Sequence, residues 1–223
     1  MKTLKLFIAP ILLTAIIVLA SATGVSKETE RINKSTEVLK AFGKMKESIP
    51  HDLIAQYEGV VIIPGLLNAG FGVGARRGKG VALVKLSDGK WSDPVFVTMT
   101  GGSVGLQIGV QSTDLVLVFR HKGVLAKVKN GDFTIGGDIS AAAGPVGRSA
   151  QATTDYKLEA EVYSYSRSRG LFAGITIHGS NLAIDKDANH AFYNNKMTSS
   201  EIFETSKSSD AAVVGLKSAL SAL

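Results

Sequence analysis

The chain contains no cysteine. That absence excludes a disulfide framework, thiolate metal sites, a cysteine nucleophile and a lipid-modified N-terminal cysteine. Aromatic residues are scarce as well, at 7% with a single tryptophan. Charge is present in both signs: 25 Lys and Arg face 19 Asp and Glu, a net +6, among 45% apolar residues. At 223 residues the chain is long enough to bury a core as one domain, and too apolar for wholesale disorder. Glycine is rare at the two ends and abundant between them, with 21 of the 24 lying from Gly59 to Gly179.

The first residues read as an address. Lys2 and Lys5 precede an apolar run over residues 6–20, and Ala20-Ser21-Ala22 then supplies an A-x-A cleavage site. The expectation is a signal peptide over residues 1–22 and a mature, exported domain over 23–223, suited to a bacterial periplasm or envelope. The rival is a retained anchor, since residues 6–26 carry no charge and are long enough to span a bilayer. Cleavage removes two lysines and leaves a net charge of +4.

Residues 26–57 have helical periodicity: Ile32, Leu39, Phe42, Met45 and Ile49 recur every three to four residues, Ser26 suits the N-cap, and Pro50 interrupts. The glycine-rich middle reads as short strands over 59–63, 70–75, 81–86, 95–98, 104–110 and 115–119, with further strands at 138–142, 159–166, 171–178 and 181–184. Asp88-Gly89 signals a tight hairpin. Residues 124–128 suit either a strand or a short helix. Helix returns at the C-terminus, where Thr198 and Glu201 have capping-box spacing and Ser209 or Asp210 precedes Val213, Leu216, Leu220 and Leu223. The expected fold is α+β: a curved, barrel-like, mostly antiparallel sheet flanked by N- and C-terminal helices.

Several motifs invite chemistry. Gly101-Gly102-Ser103-Val104-Gly105 matches the nucleophile elbow of serine hydrolases, but alternation after Ser103 predicts a strand where the elbow requires a helix. The glycines from Gly70 to Gly80 lack both Walker and dinucleotide spacing. What remains there is a turn with backbone N–H groups beside Arg76, Arg77 and Lys79, suited to an anion such as a lipid phosphate. Asp185, Asp187 and Asn189 resemble the start of a calcium loop that His190 and Lys196 then fail to complete, so Asp187 reads better as a helix cap. His51, His121, His178 and His190 share no metal-ligand spacing. Arg148 follows the turn Gly144-Pro145-Val146-Gly147, either as a structural partner of a carboxylate or as a phosphate clamp. No catalytic residue, metal site or cofactor is assigned.

Taken in order, Ile62-Ile63-Pro64, the Ala69–Gly74 glycine run, Trp91-Ser92-Asp93-Pro94, the Gly101–Gly109 run, Ala142-Ala143-Gly144-Pro145-Val146-Gly147-Arg148, the Tyr165–Gly174 run and Asn189 to Tyr193 closely resemble the SYLF domain. This domain is also called an actin-binding domain after its yeast members. The resemblance covers about residues 35–205. It implies a lipid-binding module, linked in eukaryotic members to phosphoinositide membranes and in yeast members to actin and endocytosis. Bacterial members are typically exported single domains. Membrane contact in eukaryotic members is attributed partly to a basic, amphipathic N-terminal segment, whose counterpart here carries Lys34, Lys40, Lys44 and Lys46. Glu28, Glu30, Glu37 and Glu47 nearly neutralise it, a departure from that pattern.

The charge count points the same way. Residues 59–179 hold 13 basic against eight acidic residues, while the rest of the mature chain is slightly negative. The expectation is a non-enzymatic module binding anionic phospholipid head groups through Arg76, Arg77, Lys79, Arg148, Arg167 and Arg169, with the N-terminal lysines in support. A protein-interaction or envelope-structural role is the alternative, and a hydrolase using Ser103 a third. Export and the shortage of basic residues beside exposed aromatics argue against nucleic acid as the partner.

Overall fold

The computed structural model describes residues 25–45, 49–128, 133–135, 137–138, 140–144, 160–168, 171–172, 177–194, 196–205 and 207–223. Its order is α1 (Lys27–Gly43), α2 (His51–Gln56), β1 (Gly59–Val84), β2 (Val95–Phe119), α3 (Lys122–Lys127), β3 (Phe133–Ile135), β4 (Ala141–Ala143), β5 (Val162–Ser168), β6 (Leu171–Phe172), β7 (Ser180–Ile184), α4 (Lys186–Tyr193), α5 (Ser199–Phe203) and α6 (Ala211–Ser221). The class is the expected one, α+β, with a curved and nearly closed sheet between terminal helices. All strand pairs are antiparallel except β4 with β5.

The six short strands expected over residues 59–119 are two long ones. β1 and β2 pair from Gly59↔Phe119 to Ala82↔Val95, with register shifts between Ile63 and Leu66 and between Phe71 and Val73. Pro64 and the glycines therefore bend the ribbon rather than interrupt it, as bulges do. The ribbon then folds back on itself. A methyl group placed on Gly80 would sit 1.9 Å from the Ile62 carbonyl oxygen, so the second half of β1 crosses directly over the first. At the far corner, a methyl on Gly70 would lie 2.5 Å from Gly74 Cα. Near the base, Lys85 N–H donates to the Glu58 carbonyl at 2.7 Å.

Period-two alternation sorts the strand residues into two cores. Val60, Ile62, Val81, Leu83, Phe96, Val116 and Val118 face α1, α2 and α6, joining Ile32, Leu39, Phe42, Leu53, Val213, Leu216 and Leu220. Val61, Ile63, Ala82, Val97, Leu115, Leu117 and Phe119 face the other way, against Leu125 of α3, Ile135 of β3, Leu182 of β7 and Ile202 of α5. With both faces covered, these segments read as near-continuous apolar runs.

The cap signals of the first helix and of the last two hold. Ser26 Oγ accepts from Thr29 N–H at 3.0 Å, and Thr198 with Glu201 forms the capping box. Asp210 caps α6. Residues 122–127 resolve the ambiguous segment as helix. Two expectations are corrected. α1 ends at Gly43, short of Pro50, because the Lys44 N–H turns back to the Ala41 and Phe42 carbonyls. α4 is capped by Asp185 rather than Asp187: its side chain accepts from Ala188 N–H, which leaves Asp187 inside the first turn.

Candidate functional site

The sequence-nominated cations fall into unlike environments. On β1, strand alternation sends Arg76 inward, at 8% exposure, and leaves Arg77 and Lys79 on the outer side. Arg76 Nη1 donates to Ser180 Oγ at 3.4 Å, and burial pulls its pKa below the usual guanidinium value. Lys79 reaches Asp185 at 3.2 Å, and the same carboxylate oxygen accepts from Arg31 of α1 at 2.9 Å. The Arg31 guanidinium also lies 5.2 Å from the centre of the Phe96 ring. Burial works to raise the Asp185 pKa, but hydrogen bonds from Arg31, Ala188 N–H and Lys79 prevail and hold it below its ordinary value. Asp185 thus joins the outer side of the ribbon to the first helix.

Lys34 and Lys40 on α1 and Lys44 at its C-cap are exposed, and Lys34 pairs with Glu30 at 2.7 Å. The apolar side of the same helix, Ile32, Val38, Leu39 and Phe42, is buried in the core. Only the charged side of α1 is therefore presented to solvent. Arg167 lies on the opposite edge of β2, directly across from Asp114, and the two form an ion pair. Asp114 also accepts from Gly65 N–H at 3.0 Å. Lys46, Arg148 and Arg169 lie outside the described residues, as do residues 1–22.

Ser103 sits within the unbroken strand β2, so the strand–turn–helix of a nucleophile elbow is not formed. Burial pushes the Tyr57 phenol up to about 12, far from a useful proton donor near neutrality. Among the described residues, no three His, Asp or Glu side chains cluster as metal ligands. A cleft between the end of β1, α3 and α5 contains Lys85 and Lys122. Lys85 is committed to structure there, donating to the Ile54 and Ala55 carbonyls at 3.0 and 2.9 Å.

Ysc84, described as "Las17-binding protein actin regulator", is the family whose model matches residues 100–223. That is more than half of the chain. The chain belongs to the Ysc84 family. Among its relatives, SH3 domain-containing YSC84-like protein 1 of Xenopus laevis is 36% identical over 169 residues, covering 75% of this chain and 50% of that protein. The Homo sapiens protein of the same name is 37% identical over 168 residues, 75% of this chain and 48% of the relative. LAS seventeen-binding protein 3 of Saccharomyces cerevisiae is 35% identical over 178 residues, 76% of this chain and 39% of the relative. The chain spans half or less of the length of these curated relatives. Their names describe domains and binding rather than a reaction.

Two of the Ysc84-like motifs are structural anchors that the sequence alone left without a role. Asp93 is buried and accepts from Lys207 and Ser208 N–H and from Lys217 Nζ, tying β2 to the C-terminal connection and α6. Asn189 is buried and bonds both backbone groups of Phe96, accepting from its N–H at 3.0 Å and donating to its carbonyl at 2.9 Å. A lone Asp or Asn in a sequence gives no sign of such long-range pairing. Sequence reasoning also passed over the exposed apolar residues at the ribbon corner. The sequence carries no separate signal for them, because the charge-free runs over residues 59–75 and 94–113 span the buried base and the exposed corner alike.

Proposed function

We propose that this chain is a non-enzymatic binding module, exported after cleavage following Ala22, that engages anionic phospholipid head groups. The observation that carries this reading is the outward pair Arg77 and Lys79 on a ribbon whose charges between Glu58 and Lys85 are all positive. Asp185 ties Lys79 to a largely buried Arg31 of α1 and offsets one of these charges, while Lys34, paired with Glu30, lies one helical turn further along. A cationic surface of this kind gains on the order of 1 kcal/mol per basic residue near an anionic membrane, and loses it as salt rises. Because the apolar side of α1 is in the core, the helix contributes charge rather than an inserting face.

The test uses secreted protein, its first residue established by N-terminal sequencing, sedimented with phosphatidylglycerol or with neutral phosphatidylcholine vesicles. The expected outcome is a chain beginning at Thr23 that binds only the anionic vesicles, most strongly at low salt. Equal, negligible binding to both overturns the lipid reading, and a chain beginning at Met1 overturns cleavage.

A protein partner is the second reading, favoured by the family description, in which Ysc84 proteins are Las17-binding. The apolar side of α6 is not that partner's surface, since Val213, Leu216 and Leu220 are fully buried against the sheet and α1.

A further inference from the structure

Five of the seven large apolar side chains that the described residues leave exposed gather around the ribbon corner: Leu67, Phe71, Val73, Val110 and Leu171. Phe71 and Val110 are 79% and 76% exposed. Ala69 pairs with Val110, so Leu67 and Phe71, two residues to either side of Ala69, share the face of Val110. Leu171 pairs with Ser168, whose Oγ accepts from Gln111 Nε2 and donates to the Ser112 carbonyl, which brings β6 alongside the same stretch of β2. Val73 follows the bend that Gly70 and Gly74 permit.

We propose that this corner is the part of the chain that enters the interfacial layer of an anionic phospholipid bilayer; the inference rests on the lipid reading above and names its apolar component. Three observations select a membrane. The corner is free of charge on both strands, so its insertion carries no ionic desolvation cost. Its strands pair with each other through most of this region, which satisfies the inward-facing half of their backbone groups and leaves the outer edges to the hydrated interfacial layer rather than the hydrocarbon. The charges that follow along β1 are positive, and Arg77 lies outward four residues beyond Val73, about 13 Å along a strand. Interfacial apolar faces sink roughly 5–10 Å below the head groups, so an inserted corner leaves Arg77 at the level of the phosphates. The nearest acid on β2, Asp114, is already paired with Arg167.

The absence of native cysteine makes a site-specific test clean. Every residue of both described cores lies at or beyond Ile32, so protein beginning at Thr23 keeps the whole folded unit. An environment-sensitive fluorophore on Phe71→Cys is expected to shift to an apolar environment with phosphatidylcholine–phosphatidylglycerol vesicles. The same label on Asp88→Cys, in the turn at the other end of the ribbon, is expected to stay in water. The double variant Phe71→Ser/Val110→Ser is expected to melt as the wild type does and to bind these vesicles about tenfold more weakly or worse, through lost apolar burial. Arg77→Gln is expected to reduce only the salt-sensitive part of binding.

Wild-type vesicle affinity in the double serine variant, or a label at 71 that stays wet on bound protein, overturns the corner while leaving the lipid reading intact. Failure of the unmodified protein to bind any vesicle removes both. A serine variant that changes only the sedimentation of the protein, from dimer to monomer, reassigns the corner to self-association and overturns the proposal.

Discussion

At its base, the β1–β2 ribbon has both faces covered; at its corner, large apolar residues of the same two strands stand in solvent. Ile62 and Phe71 illustrate the contrast. They lie nine residues apart on β1, yet the first is fully buried under the helices and the second is 79% exposed. Residue chemistry does not distinguish the two ends, since glycine and aliphatic residues make up both. The difference is whether anything packs on them. The helices and the short strands β3, β4 and β7 cover the base, where apolar burial supplies stability. The corner extends beyond them and holds its shape through strand pairing.

The covered base is most vulnerable at a glycine. Gly80 allows one half of β1 to cross the other, with the Ile62 carbonyl oxygen occupying the space a side chain would need. Gly80→Ala is expected to cost more than about 4 kcal/mol, because rigid backbone must move to admit the methyl. Gly102, on the exposed stretch of β2, has nothing within 4 Å of an added methyl, and Gly102→Ala is expected to stay within about 0.5 kcal/mol of wild type. Urea unfolding of the two variants measures both. Equal stabilities would show that the crossing is not tight in solution.

A smaller effect sharpens the same contrast through side chains. Ile62→Ala removes a fully buried group from the helix-facing core and is expected to lower stability by about 3 kcal/mol. Phe71→Ala deletes a larger side chain and is expected to cost less than about 0.5 kcal/mol, because it is already solvated. Thermal melts of the pair test this. A large loss for Phe71→Ala would mean that the corner is covered by chain or by a second copy in solution.

How legible this was follows from the range of each signal. Helix caps at Ser26, Thr198 and Asp210 are local hydrogen-bonding patterns, and they stand where the sequence places them. The strand material between Gly59 and Phe119 was legible too. Its continuity was not, because glycine and Pro64 look the same in sequence whether they end a strand or bend it. The basic residues at 76, 77 and 79 were legible as a cluster, yet burial of Arg76 depends on which face of β1 meets Ser180, more than a hundred residues away. Asp185 shows the limit best. In sequence it belongs to a broken calcium-like motif; in the fold it gathers cations from α1 and β1 that are separated by 48 positions.

That carboxylate offers the smallest of the three perturbations, because it lies at the joint between the covered base and the solvent-facing cations. Asp185→Asn retains an oxygen able to cap α4 while removing the charge that holds Arg31 and Lys79. Loss of a largely buried ion pair costs about 3–5 kcal/mol when a charge is stranded. Here the ammonium of Lys79 is half in solvent and screened, which brings the expected loss to about 2 kcal/mol. The pH dependence identifies the cause. The Asp185 pKa is lower in the folded chain than its ordinary value, so its contribution is complete above about pH 4 and disappears as pH falls through the lowered folded value. Wild type and Asp185→Asn are therefore expected to differ most near neutrality and to converge in acid. A gap that persists unchanged to low pH would assign the loss to packing at the α4 cap instead, and would separate the ribbon cations from the first helix.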